Sequence, residues 1–314
     1  MSSVLQPYIR KVTEEDRKNL PTFSYSKIEV YKNCPYQYDI KYNKKLRTVD
    51  TSLALEVGTL CHFILETKGK MLLQNKVNYD ILNEIKYKGY DGINGLDKIK
   101  DKYWEEFYSP DNKTGMTYEE KFQIFDDVLK VEMEDSDWKP YLFEHDFEFV
   151  WDNRCIFHGF IDRIDKKDGQ FKVIDYKTSK KSYDKSKLAT SLQFGVYNLA
   201  ILNEFGVLPI ENEYRFVLID EKQYALTKGW EKRLIKALTK ILDSIDKNHI
   251  TSVWSPSPTP LCYWCNYCEQ NPNASVFKNE CIYYSLWTPT NKTFKKNAEF
   301  NALKANKPER KLIF

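Results

Sequence analysis

The pair Asp168-Gly169 separates two short runs rich in apolar, β-branched and aromatic residues, "CIFHGFIDRIDKK" and "QFKVIDYK". It constrains the fold more than any other feature of the chain, because Asp-Gly between such runs marks a two-residue hairpin turn. With that turn, Lys167 pairs with Gln170, and counting back along both strands sets Asp162 directly opposite Asp175. Directly opposed residues have Cβ atoms about 4.5–5.5 Å apart, where like charges destabilise a sheet. Lys177 lies two residues beyond Asp175 and so shares its side of the strand. A divalent cation with oxygen ligands offsets the repulsion of two such acids. Two acids and an amine facing one spot suit metal-assisted phosphodiester hydrolysis, with the lysine positioning or deprotonating the nucleophile. The plainer alternative is a surface hairpin with an ordinary Asp–Lys ion pair, and the hairpin alone leaves both open.

The 314 residues, 42% hydrophobic and 15% aromatic, suffice for one large core or a core with a satellite domain. A formal charge of +3 excludes a global polycation, so an anionic partner must be met by local patches. One such patch is 163–187, where nine Lys/Arg stand against four Asp and surround the paired acids. The stretch "KYNKKLR" at 41–47 and the C-terminal tail are basic as well. No apolar run approaches the roughly 20 residues of a membrane span, and the first residues show no signal-peptide core. The expectation is a cytoplasmic protein with reduced cysteines and no membrane association. The Lys-, Asn- and Tyr-rich usage points to an AT-rich genome such as a phage's, in which case the compartment is the host cytoplasm.

Along the chain, residues 1–22 are polar and expected to be loosely ordered. Residues 23–70 carry two helical patterns. The first opens at Ser26-x-x-Glu29, the spacing of a capping box, and should break near Cys34 because Pro35 interrupts it. The second is "LALEVGTLCHFILETKGKMLL", in which Gly58, His62 and Glu66, each four apart, form one stripe. Residues 71–145 read as a helical accessory lobe without a chemical motif. Strands are expected in "DFEFVW", in both hairpin arms and in "EYRFVLID", with helices over about 186–205 and in "GWEKRLIKALTKILDSIDK". These make up a core over 146–250. A cysteine region, 251–285, and a basic tail, 286–314, follow. No phosphate-binding G-x-x-x-x-G-K-[ST] loop is present.

Cys262-x2-Cys265-x2-Cys268, followed by Cys281, is a metal-binding spacing, and thiolates select zinc or iron–sulfur clusters. A zinc site built from these four alone is one reading. Cys61 and Cys155 lie in apolar surroundings and read as buried thiols.

"GFIDRID…FKVIDYKT" resembles the core of the PD-(D/E)xK nucleases, in particular the RecB/AddB-like exonuclease branch that includes CRISPR-adaptation enzymes. Four further segments resemble that branch in the same order: "SYSKIEVYKNCPYQY", "GTLCHFILE", "QFGVY" and the late cysteines. The resemblance spans about 24–66 and 157–281. It implies an α/β fold with a mixed sheet flanked by helices, a helical accessory lobe and a metal-cluster C-terminal region. It implies that Asp162 and Asp175 bind Mg²⁺ or Mn²⁺ with His62 and the Tyr176 backbone carbonyl. It implies further that Lys177 is the catalytic lysine, with Gln193 and Tyr197 holding the site or the DNA backbone. Cys34 would then be the first ligand of a [4Fe–4S] cluster with Cys262, Cys265 and Cys281, leaving Cys268 as the spare. The implied function is a metal-dependent DNA exonuclease acting on single strands or ends in recombination, repair, phage or CRISPR DNA processing. The alternatives are a catalytically silent DNA-binding scaffold of the same fold and an endonuclease of the same superfamily. The tail "KANKPERKLIF" is a candidate dock for a partner protein.

Overall fold

The computed structural model describes residues 4–46, 53–101, 118–133, 137–259, 262, 265–268 and 280–281. The basic tail lies outside them. The described chain divides into two compact units, Met1–Tyr25 with Thr51–Leu238, and Ser26–Asp50 with Thr239–Phe314.

The first unit is built on a seven-stranded mixed sheet. Strands β1 (Ile9–Arg10), β5 (Lys139–Trp151), β6 (Cys155–Lys167), β7 (Gln170–Lys177), β8 (Glu211–Phe216) and β9 (Glu221–Tyr224) lie in that order, and β2 (Thr22–Phe23) runs parallel to the start of β6. The β6–β7 hairpin has the register set by its turn: Lys167 faces Gln170 and the ladder runs back to Arg163 facing Ile174. Asp168 and Gly169 both have positive φ, 48° and 79°, as a primed turn requires. Between β5 and β6 the turn residues Asp152 and Asn153 also have positive φ, and Trp151 faces Cys155.

Strands β7 and β8 are parallel, so a crossover must join them. It consists of α7 (Lys185–Ala189) and α8 (Leu192–Phe205). The sequence predicts one helix here. The chain instead breaks at Thr190 and restarts with the Ser191 hydroxyl accepting from the Phe194 N–H. Helix α8 is buried on all sides from Phe194 to Leu202, as an apolar crossover helix must be.

Helix α4 (Leu53–Leu73) packs with α6 (Tyr118–Lys130) over one sheet face. Leu60, Ile64, Leu65, Phe125 and Val128 pack with Ile174 and Tyr176 there. Burying each such aliphatic side chain stabilises by about 1.5–3 kcal/mol before entropy is counted. Lys68, 7% exposed, donates to the carbonyls of Leu129 (2.6 Å) and Val131 (2.8 Å), so a side chain of α4 caps the end of α6. Between them, α5 (Tyr79–Lys88) leads into a small hairpin, β3 (Gly89–Tyr90) and β4 (Ile93–Asn94).

Three further sequence expectations change in this unit. The N-terminal segment holds β1, a helix α1 (Glu14–Asn19) with a Thr13–Asp16 capping box, and β2. Leu5, Ile9 and Phe23 are buried and Tyr8 stacks on Trp151 at 5.2 Å, contacts too widely spaced to form a periodic pattern. Strand β5 begins at Lys139, inside the expected helical lobe. Strand β9, with only charged and polar residues besides Tyr224, carries no strand signal.

In the second unit α2 (Tyr25–Asn33) starts one residue ahead of Ser26, which places that serine inside the first turn. The expected break falls at Cys34, extended at φ −157°, before α3 (Pro35–Tyr38) and a short π-helical turn, Asp39–Asn43. Tyr38 stacks on Trp254 at 5.6 Å, and the Tyr31 hydroxyl is 2.7 Å from that of Ser244 on α9 (Trp230–Thr251). None of the described helices is long and apolar enough to cross a membrane.

Candidate active site and cysteine cavity

The acids of the hairpin sit at the end of its ladder. One step past Arg163–Ile174, Asp162 and Asp175 come next on their strands, and there the pairing gives way to side-chain bonds. The Tyr176 N–H donates to Asp162 Oδ2 at 2.8 Å. Asp175, 2% exposed, has the Lys177 ammonium against its Oδ2. Its Oδ1 accepts from Gln193 Nε2 at 2.6 Å and from the Tyr197 hydroxyl at 3.4 Å. Gln193 and Tyr197, four residues apart on α8, also bond each other at 3.0 Å, and Gln193 Oε1 is 3.4 Å from the Lys177 ammonium. Both residues therefore hold the acid–lysine pair.

Helix α4 brings its Gly58–His62–Glu66 stripe to the same place. All three residues line a cavity of about 500 Å³ together with Asp162 and Glu144. His62 Nδ1 is 3.5 Å from Asp162 Oδ2. One ligand atom each from His62, Glu144 and Asp162 lies within 4.8 Å of the others, a spacing that suits one cation. Of the residues singled out in the sequence, His62 and Asp162 reach this cluster directly. Asp175 is engaged by Lys177, Gln193 and Tyr197 behind it.

Sequence reasoning misses Glu144, because its segment reads as part of the helical lobe. A signal is present. Asp152, Asn153 and Arg154 form a three-residue hairpin loop, and counting back from Trp151 facing Cys155 sets Glu144 beside Asp162. Its φ is +45°, a left-handed value that costs a non-glycine residue about 1–2 kcal/mol and that recurs at functional sites.

The electrostatics follow from burial and from like charges. Burial, then the neighbouring Asp175, pushes the Asp162 carboxyl up to about 6, against the pull of His62 and Lys177. Burial, then Asp162 and Glu66, pushes Glu144 up to about 8. Burial works against the charge on Lys177, but the Asp175 carboxylate outweighs it and holds the ammonium above its ordinary value. The acids resist carrying their full charge without a cation, whereas the lysine is held charged.

Residues 22–271 match the PD-(D/E)XK nuclease superfamily. The chain belongs to that superfamily. Among curated relatives, a subunit of the ATP-dependent helicase/deoxyribonuclease of Clostridium perfringens (strain SM101 / Type A) is 29% identical over 212 residues. That match covers 60% of this chain and 18% of the relative, so the chain spans under a fifth of that protein's length. The Gene 69 protein of Mycobacterium phage D29 is 30% identical over 135 residues, 42% of this chain and 47% of that one. A solved structure of a candidate exonuclease from Eubacterium rectale aligns with TM-score 0.47 and 13% identity, covering 83% of this chain and 93% of its own.

PD-(D/E)XK nucleases use divalent metals, and the donor set here fits one: an imidazole nitrogen and two carboxylates converging from a helix and two adjacent strands.

The second unit holds a different donor set. Cys34, Cys262, Cys265, Cys268 and Cys281 all line one cavity of about 240 Å³. Backbone N–H groups point at two of the sulfurs. Gln37 and Ser257 donate to Cys34 Sγ at 3.4 and 3.5 Å, and Thr259 to Cys262 Sγ at 3.3 Å. Burial pushes the Cys265 thiol up to about 11 and raises Cys262 as well, so these thiols bind a metal only with release of protons. Among the described residues the His62–Glu144–Asp162 set alone brings three such ligand atoms within 4.8 Å of one another. Cys61 and Cys155, as expected, are fully buried elsewhere.

Proposed function

We propose that the protein is a Mg²⁺- or Mn²⁺-dependent deoxyribonuclease, an exonuclease that works on single-stranded DNA or DNA ends. The observation that carries this reading is the cavity where His62, Glu144 and Asp162 converge in front of a buried Asp175–Lys177 pair. The proposed metal ligands are His62, Asp162 and Asp175 with the Tyr176 carbonyl, and to these we add Glu144 for its place beside His62 and Asp162. A bound divalent ion supplies Lewis-acid charge on the phosphoryl oxygen and lowers the pKa of its water. Lys177, held as a cation by Asp175, orients the attacking water and stabilises charge on the phosphate. Gln193 and Tyr197 fix the Asp175 carboxylate so that both its partners keep their geometry. The similarity to a helicase/deoxyribonuclease component supports a DNA substrate.

For the cysteine cavity the reading is a [4Fe–4S] cluster held by Cys34, Cys262, Cys265 and Cys281. The lining of one cavity by Cys34 together with the late cysteines supports a centre that uses Cys34 over a zinc held by the four late thiols alone.

Incubation with linear duplex, circular and single-stranded DNA in Mg²⁺ or Mn²⁺ tests the proposal. Loss of linear and single-stranded DNA with the circle intact is the expected result. A cut circle makes it an endonuclease. Binding of DNA without cleavage under every metal makes it a scaffold and overturns the reading.

A further inference from the structure

The cavity that holds the acids also has apolar wall residues, and none of the proposed chemistry uses them. Besides His62, Glu144 and Asp162 it is lined by Leu55, Phe63 and Ile93. Phe63 follows His62 on α4, and Ile93 belongs to the β3–β4 hairpin, where it pairs with Tyr90. The Tyr90 ring lies almost parallel to that of Phe63, 15° between planes and 5.6 Å between centroids, and Tyr90 is 57% exposed. Leu55, near the start of α4, is 58% exposed.

The hairpin is held firmly for so small an element. Asp91 and Gly92 take the positive φ values, 38° and 85°, of a tight primed turn. Asn94 Nδ2 donates to Glu56 Oε2 on α4 at 2.5 Å. Gly89 and Gly95 approach so closely that a Cβ on Gly89 would lie 2.5 Å from the Gly95 nitrogen. The chain has thus fixed an aromatic pair and an aliphatic edge beside a cluster of metal-ligating groups, with large apolar side chains left facing solvent.

We propose that this wall is a base-stacking subsite, in which the Phe63–Tyr90 pair and Leu55 take up an unpaired nucleobase of the nucleotide next to the scissile phosphate. The subsite rests on the nuclease reading of the acids and names what lies beside them. A phosphate drawn to the cation site leaves its attached nucleoside to fill the rest of the same cavity, and the remaining wall is apolar and aromatic. Stacking on an aromatic ring needs only a π-face, so all four bases fit. A base already paired and stacked in a duplex cannot enter, which makes this wall the part of the site that selects single strands. A tyrosine that merely covers Phe63 would make Tyr90 a matter of stability alone, and the two roles have different signatures.

Fluorescence anisotropy with the full chain separates them. The probes are a labelled oligodeoxynucleotide and one of equal length built of abasic deoxyribose units, with Ca²⁺ present. Tyr90→Ala is expected to weaken binding of the base-containing strand about 10- to 100-fold, the usual worth of one stacked base. It should leave abasic binding within about twofold of wild type, the bound expected when no base is present to stack. Tyr90→Phe, which keeps the ring, is expected to bind both as wild type does. The inference is overturned if Tyr90→Ala binds the two strands as wild type does, if it weakens both equally, or if wild type prefers neither strand. Cleavage of the same strands in Mg²⁺ or Mn²⁺ is read separately. Wild type that discriminates the strands but cuts neither retains the subsite and refutes the nuclease reading; wild type that cuts without discriminating does the reverse.

Discussion

Glu144 carries a carboxyl in a place that opposes its charge, and that has a measurable consequence. Burial, Asp162 and Glu66 lift it to about 8, and burial with Asp175 lifts Asp162 to about 6. In the unfolded chain both return to ordinary carboxylate values near 4. Between those limits the folded state binds more protons than the unfolded one, so the stability of the metal-free protein falls as pH rises from about 4 to about 8. Its melting temperature should therefore drop between about pH 5 and pH 8, and Mg²⁺ or Mn²⁺ should raise it more at the higher pH. Glu144→Gln should flatten that dependence and melt higher than wild type at pH 8 without metal. A variant that melts lower there would show that the carboxylate is not strained by its neighbours. Lys177 behaves differently because Asp175 is almost wholly buried against it. Removing one partner of a buried pair strands the other, at about 3 kcal/mol or more. Lys177→Met, which strands the 2%-exposed carboxylate, is expected to lose both cleavage and stability. Asp175→Asn is expected to lose cleavage with a smaller change in melting, since Lys177 is 22% exposed and can reach solvent while Gln193 and Tyr197 keep their bonds to the amide. The double variant should recover stability but not activity, and this non-additivity is the test. Wild-type cleavage by Lys177→Met would remove the lysine from the mechanism.

Helix α4 and strand β5 approach so closely that the geometry of the site depends on a glycine far from its chemistry. A Cβ at Gly69 would lie 2.3 Å from the Phe143 ring, and Phe143 precedes Glu144. Alanine ordinarily favours a helix over glycine by about 1 kcal/mol. Here the ring must move, and overpacking of this kind costs about 1–3 kcal/mol. Gly69→Ala is expected to lower the melting temperature and to reduce cleavage several-fold by spreading His62 from Glu144; unchanged stability by calorimetry would show that the ring can swing aside freely. The elements that meet here also show what is legible in the sequence. The β6–β7 register follows from Asp168-Gly169, because a primed turn admits few residues and fixes the pairing of everything beyond it. His62 is legible as part of the Gly58–His62–Glu66 stripe, spaced four residues apart along a helix. Glu144 is legible only by counting back from the Asp152–Arg154 loop, since its own strand starts within a charged, aromatic run that has no alternation until Asp146. The break at Thr190 and strand β9 are illegible for a related reason. Local polarity there matches a loop or a helix equally well, and pairing with distant residues decides the outcome.

At the scale of the whole chain, the second unit is made from two segments, Ser26–Asp50 and Thr239–Phe314, that the sequence separates by strands β5 to β9 of the sheet. Packing of Tyr31 and Tyr38 with Trp254 joins them, and so does the cysteine cavity, since Cys34 comes from the first segment and the other four thiols from the second. Cys34 and Cys262 lie roughly 230 residues apart. A cross-link closing a loop of that length restricts the unfolded chain by about 5 kcal/mol in the loop-closure account, and metal-binding energy adds to it. With the proposed cluster bound, Cys34→Ser should lower the melting temperature of anaerobically purified protein sharply and abolish the brown colour that such a cluster gives. Cys268 is the informative control. It is 1% exposed, and its backbone pairs with that of Cys281 as an isolated parallel β-bridge. The Cys281 N–H donates to the Tyr267 carbonyl, and no disulfide joins the two thiols. That places both cysteines at the cavity, although a four-iron cluster needs only one of them beside Cys34, Cys262 and Cys265. If Cys281 is the ligand, Cys281→Ser bleaches the protein and Cys268→Ser keeps both iron and colour; the reverse pattern transfers the role to Cys268. A zinc site built from the four late cysteines gives a third outcome: one zinc, no iron, no colour, and indifference to Cys34→Ser. Iron, sulfide and zinc assays on the wild type and the three variants decide among them, and none of the outcomes alters the nuclease site, which shares no ligand with the cysteines.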